Sequence, residues 1–131
     1  MKQIILDTNF LLIPANFHID IFSEIDRICH FKHELYILDK TIQELNEIIK
    51  SQKGRDKAAA KLALLLLKKK NVHEISTNEN LSVDDLTLKT ANKQEFIVAT
   101  LDKELRKKLR DKCIPLIVMR KGKYLILEGY K

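Results

Sequence analysis

The stretch QIILDTNFLLI (residues 3–13) sets one carboxylate, Asp7, between two aliphatic runs. Ile4, Ile5 and Leu6 are apolar at successive positions, the pattern of a strand covered on both faces in a parallel sheet. Asp is rarely buried unless it is paired or bound to a cation. The stretch therefore predicts a central strand that delivers Asp7 at its carboxyl end. Thr8 and Asn9 turn the chain there, and Phe10 to Ile13 return to the core.

Further short aliphatic runs follow: LYIL (35–38), VHEI (72–75), FIVA (96–99) and PLIVM (115–119). They read as buried parallel strands, and KYLILEG (123–129) reads as an edge strand after a turn at Lys121-Gly122. Helical periodicity fills the intervals. Ile21, Ile25 and Ile28 form a stripe, and Ile42, Leu45, Ile48 and Ile49 share one face. RDKAAAKLALLLLKKK (55–70) is rich in helix formers. Ser82 is a candidate N-cap for residues 82–93, and Leu105 and Leu109 stand four apart in 102–112. Strands alternating with helices predict a three-layer α/β/α fold around a mostly parallel central sheet, as one domain over residues 1–131.

The composition allows a real core: 45% of the 131 residues are hydrophobic against 32% charged. A formal charge of +6 favours a polyanionic partner, of which nucleic acid is the commonest. No apolar run is long enough to span a bilayer and no signal-like segment opens the chain, so a cytoplasmic location without membrane contact is expected. Cys29 and Cys113 read as reduced core thiols, and the four scattered histidines give no zinc spacing. With glycine only at 54, 122 and 129, neither a P-loop nor a dinucleotide-binding turn is present.

The acids at strand ends carry the chemistry. Asp7 follows the first strand and Asp102 the fourth; Asp84 and Asp85 open the helix before that fourth strand, and Glu44 lies early in the helix after the second. In open parallel sheets, ligand sites form beyond the carboxyl ends of the strands. If the first and fourth strands are neighbours, these acids converge there. Clustered carboxylates without bases raise one another's pKa values, and a hard divalent cation, Mg2+ or Mn2+, relieves that repulsion. The chemistry suggested is cation-dependent phosphodiester hydrolysis. Singly, each acid has a plainer reading, as an N-cap or a solvated helix residue; their common placement is what argues for a site.

IILDTNFLL, LDKTIQEL, VDDLTLKTA and FIVATLDKELRKKLRDKCIPLIVMRKGKYL together resemble the PIN-domain ribonucleases, in order and spacing, over nearly the whole chain. The resemblance implies that Asp7, Glu44, Asp85 and Asp102 are catalytic acids and cation ligands, with RNA as substrate and Mg2+ or Mn2+ as cofactor. Helix register from Leu88 and Ala91 fits either Asp84 or Asp85 as the ligand, and Asp85 is preferred. Thr8, Asn9 and Thr100 match the polar residues that support the acids. Two branches of the family fit: VapC toxins held inactive by an antitoxin protein, which is the preferred reading, and ribosomal-RNA-processing nucleases with pre-ribosomal partners. A non-catalytic RNA-binding scaffold and a DNA-cleaving 5′-nuclease are the rival classes.

Residues 103–123 hold nine Lys or Arg against two acids. Lys103 and Arg106, within a turn of Asp102, are the expected RNA contacts. The apolar segment AAAKLALLLL (58–67) reads as a buried core helix, a homodimer surface or a groove for a partner helix.

Overall fold

The structure, a computed structural model, describes residues 1–130. The six strands are β1 (Lys2–Leu6), β2 (His33–Leu38), β3 (His73–Ile75), β4 (Phe96–Ala99), β5 (Leu116–Arg120) and β6 (Tyr124–Glu128). They form one sheet in the order β3-β2-β1-β4-β5-β6, parallel except for the β5–β6 hairpin. The helices are α1 (Ile13–Phe17), α2 (Ile21–Ile28), α3 (Asp39–Ser51), α4 (Arg55–Lys69), α5 (Val83–Thr90) and α6 (Lys103–Asp111), with a 3-10 turn over Phe10–Leu12.

The two-residue alternation of β1 explains the layers. Ile4 and Leu6 join Ile13, Ile21, Ile25, Leu45 and Ala60 on the face covered by α1 to α4. Ile5 turns the other way and packs with Val98, Leu105, Leu109 and Leu116 beneath α6. Leu38, Val83 and Leu86 close the core under α5. The expected three-layer fold with β1 beside β4 is what the chain adopts.

Local chemistry sets the boundaries. The Asp20 carboxylate caps α2 by accepting from the Phe22 and Ser23 backbone N–H groups, and the Ser82 hydroxyl caps α5 by accepting from the Asp85 N–H. Lys121 and Gly122 both have positive φ, as a type I′ hairpin turn requires. The helix α4 buries Ala59, Ala60, Ala63 and Leu67, while Leu65 is 62% exposed.

Two expectations need correction, for β3 and Cys113, and two element boundaries need stating. Strand β3 is a three-residue edge with His73 and Glu74 exposed, because nothing pairs beyond it. Phe10 to Ile13 return to the core in helical form, since the Asp7 carbonyl accepts from the Phe10 and Leu11 N–H groups and Pro14 falls near the start of α1. The helix α3 begins at Asp39 and not near Thr41. Cys29 is buried, but Cys113 is exposed at the left-handed position that ends α6.

Candidate active site

Asp7 leaves β1 where the sheet's carboxyl edge opens, yet it is only 3% exposed. Two donors hold it: the Thr100 hydroxyl at 2.7 Å on Oδ2 and the Thr8 N–H at 3.0 Å on Oδ1. Burial pushes its carboxyl above the ordinary range; Thr100 and Thr8 pull it back, while Glu44 and Asp102 push it further up.

Thr100 is fully buried after β4, and its oxygen also accepts the Asp102 N–H at 3.1 Å. One hydroxyl thus links the ends of two neighbouring strands. Asn9 adds a second tie, its Oδ1 accepting from the Leu101 N–H at 3.2 Å. Asp102 caps α6: its Oδ1 accepts from the N–H groups of Glu104 at 2.9 Å and Leu105 at 3.1 Å. Those bonds fix the carboxylate's orientation.

Glu44 reaches the same place from α3. Leu45 beside it is fully buried, which sets the helix rotation, and the Thr8 hydroxyl donates to Glu44 Oε1. Behind that contact, buried Thr41 lies with its hydroxyl 3.3 Å from that of Thr8. Of the expected supporting residues, Thr8 therefore bears on Glu44, Thr100 on Asp7 and Asp102, and Asn9 on the loop between β4 and α6.

Of the neighbouring pair, Asp84 rather than the preferred Asp85 faces the other three acids. Asp84 is pushed up to about 6, first by burial, then by the charges of Asp7 and Asp102, a hydrogen bond with Asp102, and Glu44. Asp85 points to solvent. Helix register is the reason. Asp84 precedes buried Thr87 by three positions and Ala91 by seven, whereas Asp85 precedes exposed Lys89 by four.

Asp7, Glu44 and Asp84 line a crevice of about 740 Å3 together with Thr8, Asn9 and Lys40. Sequence reading missed Lys40, Gln43 and Glu47, although they share the Glu44 face of α3 at helical spacing. It also missed the tie that positions the segment before α5. The Asp39 carboxylate accepts from the Thr77 N–H at 2.8 Å and the Thr77 hydroxyl at 2.6 Å, and Lys40 Nζ donates to the Leu81 carbonyl. Lys103 and Arg106 lie outside the crevice lining.

The donor set suits a hard cation. It consists of carboxylate oxygens backed by hydroxyls, and the ion pairs of the described residues leave all four acids out. The Asp84 carboxyl is raised first by burial and then by these neighbouring acidic charges. Among the described residues, no three or more histidine, cysteine, aspartate or glutamate side chains stand close enough together to hold a metal ion as they are placed. Separately, no helix of the described residues is long and apolar enough to cross a membrane.

The sequence pattern of the PIN-like domain family matches residues 4–122. Ribonuclease VapC4 of Methanocaldococcus jannaschii is 37% identical over 132 residues, covering 98% of this chain and 98% of the relative. Ribonuclease VapC9 of Archaeoglobus fulgidus is 26% identical over 125 residues, covering 95% and 87%. The structure of the PIN domain endonuclease Utp24 superposes with a TM-score of 0.79 at 23% identity, over 98% of this chain and 92% of that one. That last likeness is one of fold.

Proposed function

Since the chain belongs to the PIN-like domain family, we propose that it is an endoribonuclease of VapC type that hydrolyses RNA phosphodiester bonds with Mg2+ or Mn2+. In this reading it is the toxin of a cytoplasmic toxin–antitoxin pair and has a protein antitoxin as partner. The observation that carries the catalytic part is the meeting of Asp7, Glu44, Asp84 and Asp102, where burial and then the neighbouring acids push the Asp84 carboxyl up to about 6. The toxin assignment is supported by the full-length likeness to Ribonuclease VapC4.

Bound at these oxygens, a hard divalent cation supplies Lewis acidity toward a phosphodiester oxygen and toward a water. The chain's own residues do the rest. Asp7 and Asp102 are the fixed anchors, held at their set separation by the hydroxyl of Thr100. Glu44 is oriented from the opposite wall by Thr8. Asp84, raised to about 6, is mostly ionised at neutral pH and would present a further anionic oxygen to the crevice. Lys40 on the crevice wall and Lys103 beside Asp102 offer positive charge to the RNA backbone.

The test is cleavage of a labelled single-stranded RNA with and without Mn2+. Wild type should cut only with the ion, and Asp7→Asn should cut at least about 100-fold more slowly. Metal-independent cleavage by the wild type would remove this reading.

A further inference from the structure

Glu128, at the end of β6, is shared by arginines from two elements. Arg110 Nε on α6 donates to its Oε1 at 2.6 Å, and Arg120 Nη2 on β5 lies 3.5 Å from its Oε2. The charge of Arg106, one turn above Arg110, also bears on this carboxylate. Arg106 Nε is buried without a hydrogen-bond partner. Two guanidinium groups thus pair with one carboxylate while a third bears on it by its charge, and the two paired arginines are about half exposed. A lone carboxylate cannot saturate fifteen N–H donors, because each guanidinium offers about five in a fork suited to phosphate. The cluster carries a local surplus of positive charge.

Its place in the fold gives that surplus a direction. Arg120 ends β5 at the sheet edge where the carboxylates lie, and its side chain runs toward Glu128, whose backbone pairs with Leu116 at the other end of the hairpin. Arg106 and Arg110 descend α6 from Asp102, which caps that helix. At about 1.5 Å per residue, Arg110 stands about 12 Å down the axis from Asp102. The charge therefore forms a strip between α6 and the β5–β6 hairpin, running from the helix that Asp102 caps to the Glu128 end of the hairpin. We propose that Arg110 and Arg120, paired with Glu128, together with Arg106 one turn along α6, form a phosphate-binding site for the RNA strand that leaves the crevice past Asp102. The proposal rests on the nuclease reading for its ligand. In free protein Glu128 occupies the arginines, and the phosphates displace it.

The experiment is fluorescence anisotropy with a 12-nucleotide single-stranded RNA in EDTA, over a series of salt concentrations, alongside thermal melts. Arg106→Gln, Arg110→Gln and Arg120→Gln should each weaken binding about 3- to 10-fold and lower the salt slope by about 0.7, the value for one lost phosphate contact. Glu128→Gln should tighten binding about 3-fold. A purely structural role moves Arg110→Gln and Glu128→Gln in the same direction, since both break the same pair. Weakened or unchanged binding in Glu128→Gln overturns the proposal. So does binding of polyglutamate with RNA left unbound, which would mark an acidic-protein surface. Cation-dependent cleavage with unaltered binding in these variants would leave the nuclease reading standing and remove this site. The expected binding pattern without cleavage would do the reverse.

Discussion

Asp7 and Asp102 are joined through a single buried hydroxyl: Thr100 donates to Asp7 Oδ2 at 2.7 Å and accepts the Asp102 N–H at 3.1 Å. The link spans the gap between β1 and β4, the two adjacent strands at the centre of the sheet. Replacing Thr100 by Val keeps the shape and removes both bonds. Mn2+ affinity by calorimetry should fall about 10-fold or more, as when a residue behind a ligand is lost. Stability should drop by about 1–3 kcal/mol, the cost of a buried polar group left unpaired. Thr100→Ser should restore most of both.

Asp84 and Asp85 are neighbours in sequence with different surroundings, so they separate the site from the helix dipole. Asp84→Asn should cut cleavage about 100-fold or more. In metal-free protein at pH 7 it should raise the melting temperature by a few degrees, because it relieves repulsion from Asp7, Asp102 and Glu44. Asp85→Asn should leave cleavage within about 2-fold, and its stability should stay within about 0.5 kcal/mol of wild type.

The same repulsion gives the metal-free protein a defined pH dependence. Asp84 has an ordinary value of 3.8 and is raised to about 6 in the folded chain; Asp7 is raised too. Between those values the folded state binds more protons, so these groups stabilise below about 4 and lose that contribution as pH rises through about 6. Asp20, Glu24, Asp39 and Glu128 are lowered by their hydrogen bonds, and Glu24 and Glu128 additionally by arginine charges. Their contribution is present above the ordinary carboxylate range and is lost as pH falls below it. Melts in EDTA should therefore peak near pH 5, and excess Mn2+ should move the optimum toward neutrality.

The Asp39–Thr77 contact ties the segment before α5 to the start of α3. Thr77→Val removes one of its two bonds and Asp39→Asn weakens both. Each should cost about 1 kcal/mol. Amide exchange across residues 76–82 should quicken, and cleavage should fall about 3- to 10-fold because Asp84 loses its fixed approach to Asp102.

The sequence carried more of the sheet than of the site. Every strand core showed as an aliphatic run, and QIIL placed β1 centrally because both its faces are covered. Short β3 misled, since an edge strand need not be buried and VHEI is apolar only at its ends. The carboxylates could be located at strand ends and helix starts, but choosing within Asp84-Asp85 needs the helix rotation. That rotation is fixed by Val83 and Leu86 packing on Leu38, a contact across 45 residues or more. The roles of Asp39, Lys40 and Thr77 lie in long-range hydrogen bonds, which leave no periodic trace. Cys113 read as core because cysteine usually is, whereas its left-handed backbone at the end of α6 holds it at the surface.

The most direct measurement is Mn2+-dependent cleavage of single-stranded RNA by wild type and Asp7→Asn, at matched concentration and with melting curves showing both folded. The account predicts ion-dependent cutting by the wild type and loss of at least about 100-fold in the variant. Equal cleavage by the two folded proteins would contradict it.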